Sequence, residues 1–203
     1  SMQAVRKTYH LVVIGLMFIL ASCGKGELNQ NDYQAYVKNP DNGLRKDQKV
    51  GDFELSALYE NTDFILAKEF DQNANESEVE NRREELDQYE HFQFRIKLLQ
   101  GGNILRYNEN FEHNESSRIN YLSFEVKKDF SLITDTDTLS CKLAHFSRNY
   151  NLSPTVDLSL VFDRTEKAND FTLLYHDRQF DIGKVKFRFE EDDIEDLPEL
   201  ALN

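Results

Sequence analysis

Two kinds of side chain could take part in catalysis or bind a metal ion. They are closely spaced acids and the adjacent pair His176 and Asp177. Asp135 and Asp137 lie two positions apart, and an acidic run occupies 190–196. General acid–base catalysis needs two carboxyl groups in different environments on either side of a cleft, and adjacent acids provide neither separation nor different burial. The acidic run therefore favours a solvated surface. Loose Ca²⁺ binding is the alternative, although the run lacks the spacing of a calcium loop.

The histidines also fail to form a recognisable catalytic or metal-binding pattern. Four of them follow the N-terminal apolar segment: His91, His113, His145 and His176. None stands in the two-histidine spacing of a zinc site, and no G-x-S-x-G turn supplies a nucleophile for a base oriented by Asp177. Gly101-Gly102 lacks the Lys-Ser/Thr of a phosphate-binding loop. We predict that the protein is not an enzyme and has no cofactor or metal, with a hydrolase as the least favoured alternative.

The N-terminus has the layout of a secretory signal that ends in a lipidation motif. Arg6 and Lys7 precede the apolar run LVVIGLMFIL, which is shorter than the roughly 20 residues of a membrane-spanning helix. The next residues, 20–23, read LASC and resemble the lipobox of bacterial lipoproteins, whose cysteine receives diacylglycerol after cleavage in front of it. A conventional signal with a chance cysteine is the alternative. We expect three parts: a signal peptide over 1–22, the lipidated Cys23 with a tether over 23–30, and a single β-rich domain over 31–203.

Charge and cysteine content narrow the possible partners. Loss of Arg6 and Lys7 with the signal would change the net charge from −13 to −15. Nucleic-acid binding needs a basic surface, so we predict no nucleic-acid partner, and the attachment to a membrane must come from lipid rather than from charge. Because Cys23 would carry lipid, Cys141 has no partner within the chain. We expect a buried, apolar cysteine, with a reactive thiol or an intermolecular bridge as the alternative.

Hydrophobic patterning predicts a mainly β fold, an antiparallel β-sandwich-like single domain with one or two short helices. The strongest strand is HFQFRIKLL, from His91 to Leu99, where apolar and polar residues alternate. Helices are expected at Tyr33–Lys38, capped by Asn31 or Asp32, and between Glu76 and Leu86. Further strands are expected at FELSALY, DFILAKEF, ILRY, INYLSFEV, FSLIT, LSCKLAHF, VDLSLVF, DFTLLYH and KVKFRF.

Two kinds of surface residue could have a role outside catalysis. Sugars stack on exposed aromatic rings, and since Trp is absent, tyrosines near strand ends are the possible ligand contacts: Tyr107, Tyr121, Tyr150 and Tyr175. The alternative is packing at the rim with the hydroxyl group in water. Asp137-Thr138-Leu139 resembles the acceptor of periplasmic O-glycosylation in the Bacteroidetes, which makes Thr138 a possible O-glycosylation site.

Three segments resemble a family of uncharacterised outer-membrane lipoproteins from flavobacteria, in the Bacteroidetes. They are NDYQAYVKNPDNGLRK, FQFRIKLLQGGN and the stretch 160–200. The resemblance implies a lipid-anchored outer-membrane location and transfers no catalytic residue. Surface display in that phylum is associated with acidic residues after the cysteine, and 24–27 contains one acid, so the periplasmic face is favoured. We predict a protein that acts by binding, as an accessory subunit of an outer-membrane protein complex. A surface glycan-binding module is the alternative.

Overall fold

The computed structural model describes residues 26–71, 73–148, 153–164 and 170–202. The predicted signal peptide, the lipidation site at Cys23 and Tyr150 lie outside these residues. The described strands are β1 (Glu27–Asn29), β2 (Arg45–Val50), β3 (Phe53–Tyr59), β4 (Tyr89–Leu98), β5 (Phe130–Ile133), β6 (Thr138–Ser140), β7 (Leu143–Ser147), β8 (Thr155–Asp163), β9 (Phe171–His176), β10 (Lys184–Phe189) and β11 (Glu199–Ala201). The described α-helices are α1 (Gln30–Lys38), α2 (Thr62–Glu69), α3 (Glu76–Leu86), α4 (Glu115–Phe124) and α5 (Glu191–Glu195).

Two antiparallel sheets form the body of the molecule, as the sequence predicts. One has the strand order β2-β3-β4-β8-β7 and the other β10-β9-β5-β6. Every second residue of a strand points to the same side of its sheet. Aromatic side chains on the two inner faces therefore meet between the sheets. The ring of Phe94 lies 4.9 Å from Phe130 and from Tyr175 and 5.7 Å from Phe187, measured between centroids. The core is therefore the layer between the two sheets, and the prediction of a mainly β sandwich is confirmed.

The chain termini of the described body lie together. β1 pairs in parallel with β11 in a separate two-stranded sheet. Asn29 then caps α1, its side chain accepting a hydrogen bond from the Asp32 backbone N–H at 3.0 Å. The expected cap at Asn31 or Asp32 is therefore wrong by two or three residues. The tether boundary at residue 30 is also wrong, because β1 covers Glu27–Asn29 and α1 begins at Gln30.

Three segments predicted as strands are helical, and asparagine caps explain the two longest. DFILAKEF lies in α2, where the Asn61 side chain accepts from the Phe64 N–H at 3.3 Å. Its apolar run, 64–67, is buried throughout because the main core and α3 cover different sides of the helix. INYLSFEV lies mostly in α4, which starts with a reciprocal capping box between Asn114 and Ser117. ILRY forms a short 3-10 helix instead of a hairpin strand.

The segment LSCKLAHF contains two strands rather than one. β6 belongs to the four-stranded sheet and β7 to the five-stranded sheet, and Cys141 lies at the crossing between them. Its thiol is buried and contacts the carbonyl oxygen of Leu143 at 3.1 Å. Burial raises the pKa of the Cys141 thiol to about 11. The prediction of a buried cysteine is confirmed.

Candidate functional site

The outer face of the five-stranded sheet carries a groove of about 430 Å³. We call it the outer groove. Its floor comes from the outward-facing residues of β3 and β4, the two strands whose alternate residues form the core. α1 and α2 border one end. The lining residues are Lys38, Arg45, Glu54, Ser56, Leu58, Glu60, Phe64, Lys68, Gln93, Phe94, Arg95, Lys97 and Asp157.

The outer groove is lined by more basic than acidic side chains, although the protein is strongly acidic. Its lining contains five basic side chains, Lys38, Arg45, Lys68, Arg95 and Lys97, and three acidic ones, Glu54, Glu60 and Asp157. Four of the five basic side chains are ion-paired, Arg45 with Asp47 at 3.1 Å and the other three with acids of the lining, and Lys38 carries the remaining positive charge. The whole chain has a net charge of −13. A cationic concave surface concentrates anions, and surrounding negative charge confines that attraction to the groove. The excess of basic side chains in the lining therefore makes the outer groove a candidate anion-binding surface.

The floor of the groove is a set of weak cross-strand pairs. Arg95 lies opposite Asp157 of β8, with Nε 2.5 Å from Oδ1, and the Lys97 ammonium lies 3.7 Å from a carboxylate oxygen of Glu54 on β3. The Arg95 and Lys97 side chains are 58% and 48% exposed. Exposed ion pairs contribute about 0 to 1 kcal/mol, so a ligand can replace either partner at small cost. Gln93 adds a neutral donor, which bonds to the Ser159 hydroxyl at 2.9 Å.

Two lysines at the helical end share one aromatic ring. The ammonium groups of Lys38 and Lys68 lie 5.7 and 4.7 Å from the centroid of Phe64, which is 1% exposed. Lys68 is also 2.6 Å from an oxygen of Glu60, which is 7% exposed. Lys38 is exposed and has no carboxylate within ion-pair distance among the described residues. Lys38 is thus the groove cation best placed to meet an incoming anion.

The predicted tyrosines do not form a ligand platform in the described part of the chain. The Tyr107 hydroxyl donates to Asp52 at 2.7 Å, and the Tyr121 hydroxyl donates to Asp129 at 2.5 Å. Tyr175 is 1% exposed, because its position in β9 places it on the inner face against Phe94. The expectation of an exposed Tyr175 is therefore wrong. None of these three rings lines the outer groove.

Asp177, the possible partner of a catalytic histidine, instead organises the connection between β9 and β10. Its carboxylate accepts hydrogen bonds from the Tyr175 hydroxyl at 2.7 Å and from three backbone N–H groups at 2.9 to 3.0 Å. The backbone donors are Gln179, Phe180 and Ile182. His176 is exposed, whereas Asp177 is 8% exposed. The hydrogen bonds to this carboxylate therefore support a structural role in the turn.

Asp129 is the buried acid with the most unusual environment. It is 2% exposed, it accepts from Tyr121 and pairs with Arg178 at 3.3 Å through one oxygen, and its other oxygen is buried without a hydrogen-bond partner in the described structure. Burial raises the pKa of Asp129 to about 6, although the Tyr121 hydrogen bond and the Arg178 charge oppose this rise. The folded protein therefore binds this proton more tightly than the unfolded chain does. The resulting stabilisation is present below about pH 4 and is lost as pH rises through about 6.

Thr138 and two of the histidines, His91 and His145, lie outside the outer groove. Thr138 is exposed and begins β6, an edge strand of the four-stranded sheet. Its O-glycosylation stays a prediction. His145 is exposed on the edge strand β7, whereas His91 is half-buried beside α3 with a buried Nε2 that has no partner in the described residues. Burial lowers the pKa of His91.

The outer groove is the site that sequence reasoning missed. The alternation of Gln93, Arg95 and Lys97 in β4 predicts one wet face, but the residues beside them come from β3 and β8 through strand register. Among the residues that the structure describes, no group of three His, Cys, Asp or Glu side chains is arranged to hold a metal ion. No helix within the same residues is long and apolar enough to cross a membrane. Comparison of the chain with protein-family models, with curated proteins and with solved structures finds no match.

Proposed function

We propose that this protein is a lipid-anchored binding protein of the bacterial outer membrane, and that it binds its ligand in the outer groove. The observation that carries the proposal is the concentration of five basic side chains in one groove of a protein with a net charge of −13. Small-molecule and cofactor sites commonly occupy clefts of about 300 to 1,000 Å³, and the groove volume of about 430 Å³ falls in that range.

The groove also has a rigid base, which supports a binding role. Its floor lies on β3 and β4, whose other faces carry the buried residues Leu55, Ala57 and Ile96. A packed sheet holds the backbone of these residues in place, so the backbone does not need to rearrange when a ligand arrives, whereas the exposed side chains of Arg95 and Lys97 still have to be ordered. The backbone of a binding site on this surface is therefore preorganised.

A lipid on Cys23 would hold the groove near a membrane. Cys23 lies four positions before β1, and four residues span at most about 14 Å even when fully extended. Anchoring would therefore keep the folded body, and the groove with it, at the membrane surface. Such confinement raises the effective concentration of ligands at the same membrane.

A second candidate function is that of an accessory subunit, and exposed apolar side chains support it. Phe111, four residues before α4, is 97% exposed, and Phe124, the last residue of α4, is 72% exposed. Leu143 is 55% exposed at the start of β7, a strand that contacts α4. Exposed apolar side chains of this size are common in protein–protein contacts. This surface is separate from the outer groove, so the two functions can be tested independently.

The test is a crosslinking capture from bacterial membranes with three matched double variants. The first variant changes the groove and combines Arg95→Glu with Lys97→Glu. The second is its charge-matched control on the exposed face of β10 and combines Lys184→Glu with Lys186→Glu. The third changes the exposed apolar side chains and combines Phe111→Ser with Phe124→Ser. We expect the groove variant to retain roughly tenfold less crosslinked material, a difference of about 1.4 kcal/mol. The β10 variant should match the wild type. Loss in the apolar variant alone would support the accessory-subunit function and contradict the groove.

A further inference from the structure

We infer that the outer groove binds an anionic polysaccharide, that is, a chain of sugars that carry carboxylate or sulfate groups. This inference rests on the proposed function, since it names the ligand class of the same groove. The first argument is the placement of the cations. Arg95 and Lys97 lie along β4, while Lys38 and Lys68 lie at the helical end of the groove. The stretch of β4 from Gln93 to Lys97 alone is about 13 Å long. A linear ligand with repeated charges can meet several of these cations at once.

The second argument comes from the acids between these cations. Glu54, Glu60 and Asp157 line the same groove, and they would repel a ligand that offered only negative charge. Sugar hydroxyl groups donate hydrogen bonds, and a carboxylate is a strong acceptor for them. An acidic sugar presents anions and hydroxyl donors along one chain. Its two kinds of group therefore match the mixture of basic and acidic side chains in the groove.

The groove is less suited to an acidic peptide. Peptides that bind to β-proteins often pair with a free sheet edge and place apolar side chains in pockets. The floor of the outer groove is the face of β3 and β4, and both strands are paired on each side within the five-stranded sheet. Leu58 is the half-buried apolar side chain on this floor, and the Phe64 ring is already covered by two lysines. A peptide in this groove would therefore find little opportunity to pair its main chain with a strand or to place an aromatic or aliphatic side chain in an apolar pocket.

The experiment measures binding of four defined polymers to the full-length protein extracted from membranes in detergent. Polygalacturonate carries carboxylates and dextran sulfate carries sulfates, so these two probes distinguish the sources of negative charge. Fully methyl-esterified polygalacturonate retains the sugar hydroxyl groups without the charge, and polyglutamate retains carboxylates without the sugars. Titration calorimetry at low and at physiological ionic strength gives the affinity for each polymer.

We expect at least one of the two anionic polysaccharides to bind at least tenfold more tightly than the esterified polymer and than polyglutamate. Arg95→Gln with Lys97→Gln should weaken that binding at least tenfold, and Lys38→Gln alone should weaken it about threefold. The matched Lys184→Gln with Lys186→Gln variant should bind like the wild type. Higher salt should weaken binding because exposed charges are screened.

Binding of polyglutamate as tight as that of the tighter anionic polysaccharide would overturn the inference in favour of an acidic peptide. Binding of the esterified polymer as tight as that of the tighter anionic polysaccharide would show that the charge has no role and would also overturn it. If none of the four polymers binds while membrane capture still depends on Arg95 and Lys97, the ligand class is wrong and the proposed function stands. If capture is independent of the groove as well, both are wrong. Circular dichroism of each variant identifies any loss that comes from unfolding.

Discussion

Replacement of Asp177 by Ala separates a structural role of this carboxylate from a catalytic one. In the folded protein the carboxylate accepts from the Tyr175 hydroxyl and from the backbone N–H groups of Gln179, Phe180 and Ile182. Tyr175, Phe180 and Ile182 are 1%, 3% and 8% exposed, so water cannot easily replace the lost acceptor. A buried donor without a partner costs about 1 to 3 kcal/mol. Loss of acceptors for two to three such donors should therefore lower the free energy of unfolding by about 3 to 6 kcal/mol.

Urea unfolding followed by far-ultraviolet circular dichroism provides the measurement. With a slope of about 2 kcal/mol per molar urea, the midpoint of Asp177→Ala should fall by about 1.5 to 3 M. Asp177→Asn should cost less than Ala, because one acceptor oxygen is retained. His176→Ala is the matched control, and its exposed side chain predicts a change within about 0.5 kcal/mol. A loss below about 1 kcal/mol in Asp177→Ala, or an equal loss in His176→Ala, would refute the structural role.

Three further predictions concern other single residues. Asp129→Asn removes the acid whose pKa burial raises to about 6. Between pH 4 and pH 7 the free energy of unfolding of the wild type should therefore fall by about 3 kcal/mol relative to that of the variant. Parallel pH profiles of the two proteins in urea unfolding would contradict this. Burial raises the pKa of the Cys141 thiol to about 11, so in the folded Cys23→Ala variant a disulfide reagent at pH 8 should react with Cys141 about a hundredfold more slowly than in urea. A rapid reaction in the folded protein would show an accessible thiol. Cys23→Ala should abolish incorporation of labelled palmitate and release the protein from the membrane fraction, and an unlabelled, soluble wild type would exclude the lipid anchor.

Local sequence signals predict the parts of the fold that depend on one strand or one helix. In β4, Phe92, Phe94, Ile96 and Leu98 alternate with polar residues, and all four are buried. The helix predicted between Glu76 and Leu86 matches α3 at both ends. These elements are predictable because a two-residue or a 3.6-residue period is set by backbone geometry alone.

Tertiary contacts decide the elements that the patterns assign wrongly. In α2 the run of consecutive apolar residues, 64–67, is typical of a buried strand, but α3 buries the side of the helix that would otherwise face water. The Asn61 and Asn114 caps were the available signals for α2 and α4. The pairing of β1 with β11 joins residues more than 170 positions apart, and no local pattern indicates it.

The candidate site depends on strand register, which the sequence does not encode locally. Lys97 faces Glu54 and Arg95 faces Asp157 because β4 is paired with β3 and β8 in one particular alignment. A shift of one residue would turn these side chains into the core. Tyr107, Tyr121 and Tyr175 lie elsewhere, since side-chain type gives no information on which charged residues a sheet brings together.

The most direct test of whether the outer groove is the binding surface is the extent of lysine acetylation. It is measured for the protein in its membranes and for the same protein after purification. Lys38 and Lys97 are exposed in the groove, and Lys184 and Lys186 are exposed on β10. If the groove holds its ligand in the membrane, a short pulse of amine-reactive reagent should label Lys38 and Lys97 several-fold less there than in the purified protein, while Lys184 and Lys186 are labelled equally in both. Equal labelling of all four lysines in the two preparations would contradict a binding role for the groove.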